Sequence, residues 1–287
     1  MQTMTTYRRA VRDTVGKLLG AQNDLTLVWA TNLPIIYVNN PKCGCSTIKR
    51  SLRSAQISLP HIAEQPAVAG PHEADHLLKH KGLPPRASRG RFVISCVRNP
   101  FTRALSGYLD KIHGREFDEY RVLHKRPVRD FEDHLQALTG YVPQKMEPHL
   151  RPQHLNLNFP DLRYDALFYL EDLQPFQRFL TRFAPDFVIE SFRAHATDAS
   201  SKLRQFYTPR ALDLVRDIYR EDFKLFGYGQ SLDNVSTAPG EVIVGDTPVA
   251  DVSSALKARL AKPRERGRFN ALERTLYCHR LAEMKII

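Results

Sequence analysis

Residues 35–49 read Ile35-Ile36-Tyr37-Val38-Asn39-Asn40-Pro41-Lys42-Cys43-Gly44-Cys45-Ser46-Thr47-Ile48-Lys49. The apolar residues at the beginning are typical of a buried strand. A turn of small residues follows them, and from Thr47 onward the sequence predicts a helix. A strand, a tight turn and a helix together aim backbone N–H groups and a helix N-terminus at an anion. Because Lys42 adds a cation and Ser46 adds a hydroxyl, we expect this segment to bind phosphate, although its spacing is not the Walker GxxxxGK[ST] pattern.

A second junction of the same kind lies at residues 91–108. A buried-strand pattern at 91–97 runs directly into Arg98, and Pro100 suits the first turn of a following helix. Ser106 would lie about two turns into that helix. Open α/β sheets bind ligands at the carboxyl ends of their strands, so Arg98 and Ser106 are predicted to bind a second phosphate group of the same ligand. Arg103 lies between them and is either structural or a further ligand.

Both junctions resemble the nucleotide-binding motifs of the membrane-type carbohydrate sulfotransferases, sulfotransferase family 2, which include the chondroitin 4-O-, HNK-1 and dermatan sulfotransferases. Residues 41–47 resemble the 5′-phosphosulfate loop of that family, and residues 98–108 resemble its 3′-phosphate element, written R-D/E/N-P-F-x-R-x-x-S-x-Y. Three later segments resemble the family's H-W-x-P-Q segment, its Y-D-x-I-x-x-x-E-x-L strand and its closing helix; they are residues 147–153, 164–173 and 206–228.

The resemblance covers about residues 33–228 and implies an α/β fold, with a central parallel β-sheet flanked by helices and a P-loop-like nucleotide site. The implied donor is 3′-phosphoadenosine 5′-phosphosulfate, and no metal is implied. Lys42 would stabilise the bridging oxygen as it leaves, and Arg98 and Ser106 would hold the 3′-phosphate. Lys202 would lie in a segment that closes on the nucleotide. The 5′-phosphate would be held by Cys43, Gly44, Cys45, Ser46 and Thr47.

The acceptor hydroxyl needs a group that accepts its proton, and histidine is the natural candidate near neutral pH. His72 and His76 lie between the two donor motifs, in the interval where the more distant uronyl 2-O-sulfotransferases have a catalytic histidine. We prefer His72, because Glu73 and nearby carboxylates could orient its ring. In the segment that resembles H-W-x-P-Q, His149 and Arg151 are predicted to bind the acceptor, which is expected to be a glycan. Leu150 departs from the family, which often has Trp there.

Composition limits the class of protein. The chain has 287 residues, 42% of them hydrophobic, and 42 basic residues against 31 acidic ones give a net charge of +11. That excess indicates either a solvated basic surface or a polyanionic ligand. No nucleic-acid-binding signature is present, so nucleic acid is not expected. The cysteines form neither a disulfide framework nor a metal cluster by their spacing; they are Cys43, Cys45, Cys96 and Cys278.

The chain is expected to consist of a sulfotransferase domain at 1–228, a linker at 229–250 and a helical C-terminal extension at 251–287. No run of about 18 apolar residues is present, so no transmembrane anchor is expected. The family's eukaryotic members are Golgi proteins with such an anchor, and the departure from them suggests a cytoplasmic enzyme of bacterial type. Oligomeric state is not predicted.

Two other functions stay open. A kinase-like phosphotransferase would need an acidic magnesium ligand at the second strand end, where this chain has Arg98. A non-catalytic polyanion-binding protein would be favoured by loss of Lys42, Arg98 or Ser106, and all three are present.

Local patterns further predict an edge strand at 25–29, loop with a short helix within 57–90, irregular structure at 140–163, a solvated Lys49, and a helix capped by Thr208.

Overall fold

The structure is a computed structural model that describes residues 25–30, 33–57, 77–81, 91–113, 128–160, 162, 164–185, 187–189 and 198–242. The described strands form one sheet in the order β3-β1-β2-β4-β5. Strands β2, β4 and β5 are parallel to one another, whereas β1 runs antiparallel to both of its neighbours. The strands are β1 (Thr26–Ala30), β2 (Ile35–Val38), β3 (Leu77–Lys81), β4 (Phe92–Val97) and β5 (Ala166–Tyr169).

Helices flank this sheet, and the predicted α/β class is confirmed. The described helices are α1 (Cys45–Ile57), α2 (Pro100–Lys111), α3 (Phe131–Leu138), α4 (Gln153–Leu157), α5 (Gln174–Thr181), α6 (Ala199–Phe206), α7 (Pro209–Ile218) and α8 (Arg220–Leu225), with a 3-10 turn at Pro143–Lys145. None of the described helices is both long enough and apolar enough to cross a membrane.

Strands β1, β2, β4 and β5 are buried on both faces: their successive side chains point to opposite sides, and a hydrophobic cluster lies on each side. On β2, Ile35 and Tyr37 face a cluster that includes Ile48 of α1 and Phe179 of α5. Ile36 and Val38 face the other side, where the cluster includes residues of α2, α3, α6, α7 and α8. Continuous burial on both faces accounts for the uninterrupted apolar run of β2.

Two helix starts follow the local rules that predicted them. Asn99 caps α2 by accepting a hydrogen bond from the Phe101 N–H at 3.0 Å, and Pro100 occupies the first helical position. Thr208 caps α7 in the same way, accepting from the Ala211 N–H at 3.0 Å. The side chain of Arg98 therefore lies directly before a fixed helix start.

Several local predictions were wrong. The strand at Thr26–Ala30 is not at the sheet edge, because Leu77–Lys81 pairs with its outer side in a segment expected to be loop and helix. The strand at Leu77–Lys81 has no alternating apolar pattern in its sequence, so it was not predicted. The interval 140–163 contains α4, so it is not wholly irregular. Lys49 lies in α1 with only 5% of its surface exposed, so it is not solvated.

The structure extends past the end of the family-like pattern at residue 228. Val235 is 7% exposed and belongs to the core cluster on the α2 side of the sheet. Arg216 donates from Nε and Nη2 to the Gln230 carbonyl oxygen at 3.1 and 2.9 Å. Residues 229–242 thus pack against the domain, while the rest of the predicted linker and the extension at 251–287 lie outside the described residues.

Candidate functional site

The two predicted anion-binding segments meet at the carboxyl ends of neighbouring parallel strands. The loop after β2 contains Lys42, and Arg98 directly follows β4. Arg98 donates from Nη1 to the Lys42 carbonyl oxygen at 3.1 Å. Asn40 donates from Nδ2 to the Cys96 carbonyl oxygen at 2.9 Å. These bonds hold the loop and the strand end together, so both segments contribute to one site.

The loop has a backbone shape that requires glycine at one position. Lys42 and Gly44 have φ angles of 67° and 70°, in the left-handed region. A Cβ atom on Gly44 would lie 2.5 Å from Cδ1 of Leu170, so a larger residue would have to displace that side chain and would also be strained by the left-handed φ. The chain then enters α1, whose first bond runs from the Ile48 N–H to the Gly44 carbonyl oxygen at 3.0 Å. The N–H groups of the first helical residues precede that bond and point out of the helix end, as in phosphate-binding loops.

Lys42 forms an ion pair inside the site. Its Nζ lies 3.1 Å from Oδ2 of Asp110 on α2, and its side chain is 8% exposed. Burial lowers the pKa of Lys42; Asp110 opposes that change and Arg98 reinforces it. Burial acts to raise the pKa of Asp110, but Lys42 and Lys111 outweigh it, so that pKa is lowered.

Arg98 is positioned by two hydrogen bonds. Besides the bond to the loop, its Nε donates to Oγ1 of Thr102, one turn into α2, at 3.0 Å. Within the described ranges no protein acceptor bonds to its Nη2, which leaves a charged donor for a ligand. Burial lowers the pKa of Arg98, with Glu171 among the groups that oppose the change. A guanidinium keeps its charge in proteins, so Arg98 remains a cation.

Glu171 lies behind Arg98 and anchors the start of α2. Its Oε1 accepts from the Asn99 N–H at 2.8 Å, and its Oε2 accepts from the Tyr228 hydroxyl at 2.8 Å. Burial raises the pKa of Glu171, while these two donors and Arg98 act to lower it. This carboxylate thus stabilises the backbone next to the candidate site.

Arg103 has a structural role. It is 1% exposed and donates to three carbonyl oxygens: those of Pro41 at 3.1 Å, Arg151 at 2.8 Å and Pro148 at 3.1 Å. These bonds tie the loop after β2 to the segment at 147–151. A guanidinium that is fully engaged by the backbone holds the site in shape.

Gln153 is a central residue of the site to which sequence reasoning gave no role. It is fully buried, and its Oε1 accepts from the Arg98 N–H at 2.8 Å while its Nε2 donates to the Arg98 carbonyl oxygen at 2.7 Å. The same Oε1 accepts from Sγ of Cys43 at 3.0 Å. The Gln153 N–H donates to Asp222 at 2.7 Å. Its place at the end of the H-x-x-P-Q-like segment was the signal available in the sequence.

Two other predicted ligands, Ser106 and Lys202, differ in exposure. Ser106 is 2% exposed on α2, one turn before Asp110. Lys202 is exposed on α6, a helix that packs against α2. A Cβ atom on Gly107 would lie 3.0 Å from the His149 carbonyl oxygen, which places the backbone of His149 against α2 beside Ser106.

The two residues predicted to bind the acceptor differ in accessibility. The Nδ1 of His149 lies 2.6 Å from Oε1 of Glu147, and the His149 side chain is 30% exposed. Arg151 is 3% exposed and donates to Asn156 at 2.8 Å and to the Gln144 carbonyl oxygen at 3.3 Å. These contacts favour a structural role for Arg151. His72 and His76 lie outside the described residues.

The cysteines near the loop are free thiols, and no group of metal-ligating side chains occurs among the described residues. Burial raises the pKa of Cys43 to about 12, so its thiol is protonated and donates to Gln153. Cys45 is partly exposed at the first position of α1.

This arrangement agrees with the comparison with known families. Residues 26–229 match the sequence model of the sulfotransferase family. The chain belongs to the sulfotransferase family. Sulfuryl transfer is therefore the class of reaction that its membership indicates. Neither the curated proteins nor the solved structures include a significant match to this family member.

Proposed function

We propose that this family member transfers the sulfuryl group of 3′-phosphoadenosine 5′-phosphosulfate to a hydroxyl group of a glycan or another small acceptor. The observation that carries the proposal is the bond from Arg98 Nη1 to the Lys42 carbonyl oxygen at 3.1 Å. That contact is the reason for proposing that Lys42, Arg98 and the N-terminus of α1 bind one ligand. A donor with separate 3′ and 5′ groups suits such a divided site.

The residues have distinct tasks in this proposal. The N–H groups at the start of α1, with the hydroxyls of Ser46 and Thr47, would hold the 5′-phosphate. Lys42 would stabilise negative charge on the bridging oxygen as the S–O bond breaks. Arg98, with Ser106, would bind the 3′-phosphate, because a planar guanidinium bonds two phosphate oxygens at once. As in phosphoryl transfer, positioning and charge stabilisation would supply most of the rate enhancement.

The acceptor side of the proposal rests on the resemblance to carbohydrate sulfotransferases. His72, with His76 as the alternative, is proposed as the base that accepts the hydroxyl proton. His149 is proposed to contact the acceptor, since its ring is partly exposed and is oriented by Glu147. Lys202 is proposed to approach the nucleotide from α6. The proposal includes no metal: Lys42 and Arg98 would supply the positive charge, and the described residues contain no group of metal-ligating side chains.

A thermal-shift comparison tests the proposed donor. Adenosine 3′,5′-bisphosphate, the product of the donor, should stabilise the protein without added metal, by about 2.7 kcal/mol at a concentration of about one hundred times Kd. ATP with magnesium should stabilise it less. Stabilisation that requires magnesium would favour a phosphotransferase instead. Equal stabilisation by unrelated polyanions would favour non-catalytic binding.

Transfer itself is tested with donor labelled in the sulfuryl group and a panel of glycans. The expected result is label on a neutral or acidic glycan in the presence of the wild-type protein. The Lys42→Ala variant is the matched control, since it removes the proposed stabilising cation. Label that appears equally with Lys42→Ala would contradict the role of that residue.

A further inference from the structure

The ion pair between Lys42 and Asp110 joins the proposed donor loop to the helix that carries Ser106. Asp110 follows Ser106 by four residues, so the two side chains lie on the same face of α2. The Lys42 and Asp110 side chains are 8% and 17% exposed, so the pair is largely shielded from water. Shielded charges interact more strongly than those on an open surface.

The ammonium group of Lys42 has capacity for more than this partner. A lysine ammonium carries three N–H donors. The ion pair with Asp110 uses one of them, and no other protein acceptor for Nζ occurs within the described ranges. The remaining donors are therefore directed by the position of Asp110. Lys111 also approaches the same carboxylate oxygen, at 3.5 Å.

The charged and titratable groups that face Lys42 come from three elements. Asp110 of α2 is the anion, Arg98 at the end of β4 is a cation, and Cys45 of α1 is a thiol. Burial and Arg98 both disfavour the charged ammonium, and Asp110 is the main group that opposes them. Without that carboxylate, Lys42 would lose its proton at a lower pH, and a neutral amine cannot stabilise an anion.

We propose that Asp110 is a positioning residue for sulfuryl transfer, which holds the Lys42 ammonium charged and directs its remaining N–H donors toward the phosphosulfate. This inference rests on the proposed function, because it takes the donor to lie against Lys42. Asp110 does not contact the donor. It stays paired with Lys42 when the nucleotide binds, so one ammonium bridges the carboxylate and the ligand.

The test compares the pH dependence of nucleotide binding in matched variants. Affinity for adenosine 3′,5′-bisphosphate is measured by calorimetry from about pH 7 to about pH 10, to follow the loss of the proton from Lys42. Thiols usually titrate within the same range. The ligand's phosphates are already ionised there, since their second pKa is about 6. All proteins carry Cys45→Ser, which replaces the thiol that faces Lys42 with a hydroxyl. Asp213→Asn, which removes an exposed carboxylate on α7, is the control for loss of one negative charge.

In the parent protein, affinity should decline at alkaline pH by about tenfold per pH unit once Lys42 has lost its proton. In Asp110→Asn this decline should begin at a clearly lower pH. In Asp110→Glu the pH at which the decline begins should return toward that of the parent protein. Lys42→Arg should remove the decline, because a guanidinium remains charged. If Asn is not tolerated at position 110, Asp110→Ser removes the same charge and gives the same comparison.

Two results would overturn the inference while leaving the proposed function intact. One is an alkaline decline at the same pH in Asp110→Asn and in Asp213→Asn. The other is tighter binding by Asp110→Asn at every pH, which would mean that Asp110 competes with the nucleotide for Lys42. A wild-type protein, with Cys45 in place, that binds no adenosine 3′,5′-bisphosphate at any pH would instead contradict the proposed function, and the role of Asp110 with it.

Discussion

Arg98 is the residue on which the two halves of the proposed donor site depend. Its Nη1 bonds to the loop, its Nε bonds to α2, and no acceptor within the described ranges uses its Nη2. Arg98→Ala should weaken binding of adenosine 3′,5′-bisphosphate by about 1.5–3 kcal/mol, the scale of a hydrogen bond to a charged group. Calorimetric titration measures the loss. Arg210→Ala, which removes a 66% exposed arginine on α7, is the control. Equal affinity in the two variants would remove Arg98 from the site.

A second prediction for a single residue concerns His72, the proposed base that accepts the proton of the acceptor hydroxyl. His72→Ala should lower turnover by about 10²–10⁴-fold and leave donor affinity nearly unchanged, because a general base acts on the acceptor hydroxyl. The pH–rate profile should also lose its acidic limb, since a protonated imidazole cannot accept the proton. Steady-state kinetics with a labelled donor measure both effects. Full activity in His72→Ala combined with loss in His76→Ala would move the role to His76.

Residues differed in how far sequence alone could place them. The positions of Lys42 and Arg98 at neighbouring strand ends were predictable, because a strand, a tight turn and a helix start are local patterns, while their roles in donor binding stay predictions. Asp110 was not, since a single Asp on a helix surface is usually solvated and its partner comes from another segment. Arg151 illustrates the opposite difficulty: a motif position suggested an acceptor contact, whereas its guanidinium is bonded to Asn156 and Gln144.

At the scale of elements, Gln153 links β4 and the loop after β2 through one buried amide. Gln153→Met keeps the approximate volume but leaves the N–H and carbonyl groups of Arg98 without these partners. Each buried group left unsatisfied costs about 1–3 kcal/mol, so the free energy of unfolding should fall and nucleotide affinity should fall with it. Urea unfolding and calorimetry measure the two losses. Gln136→Met, at an exposed position on α3, is the control. Unchanged nucleotide affinity in Gln153→Met would show that the amide supports stability alone.

The elements that sequence predicted are those with strong local signals. Helix α2 has both an Asn cap and Pro at its first position, and β2 has a continuous apolar run. Strand β3 was missed because it lies in a proline-rich interval and its residues, Leu-Leu-Lys-His-Lys, do not alternate. It becomes a strand by pairing with β1, a long-range contact that periodicity does not report. Helix α4 was missed because a helix of five residues is too short to show a period.

The described part of the chain is organised around a sheet in which β1, β2, β4 and β5 are buried on both faces, with the proposed site at the carboxyl ends of β2 and β4. The family match ends at residue 229, yet the packed unit continues through residue 242. Leu232 and Ala238 pack against the core cluster in which Val235 is buried. We therefore propose that the folded domain includes residues 229–242 rather than ending at 228.

Two shortened chains test this boundary. A chain of residues 1–242 keeps the core contacts that residues 229–242 make, so it should be the more stable of the two, and its nucleotide affinity is compared with that of the full chain. A chain of residues 1–228 exposes the pocket of Val235, and burial of a valine side chain contributes about 1.5–3 kcal/mol. It also loses the carbonyl oxygen of Gln230 that Arg216 binds. Its free energy of unfolding in urea should therefore be lower by at least about 1.5 kcal/mol. Equal stability of the two chains would restore the boundary at 228, whereas loss of nucleotide affinity in the 1–242 chain would assign residues 243–287 a part in the donor site.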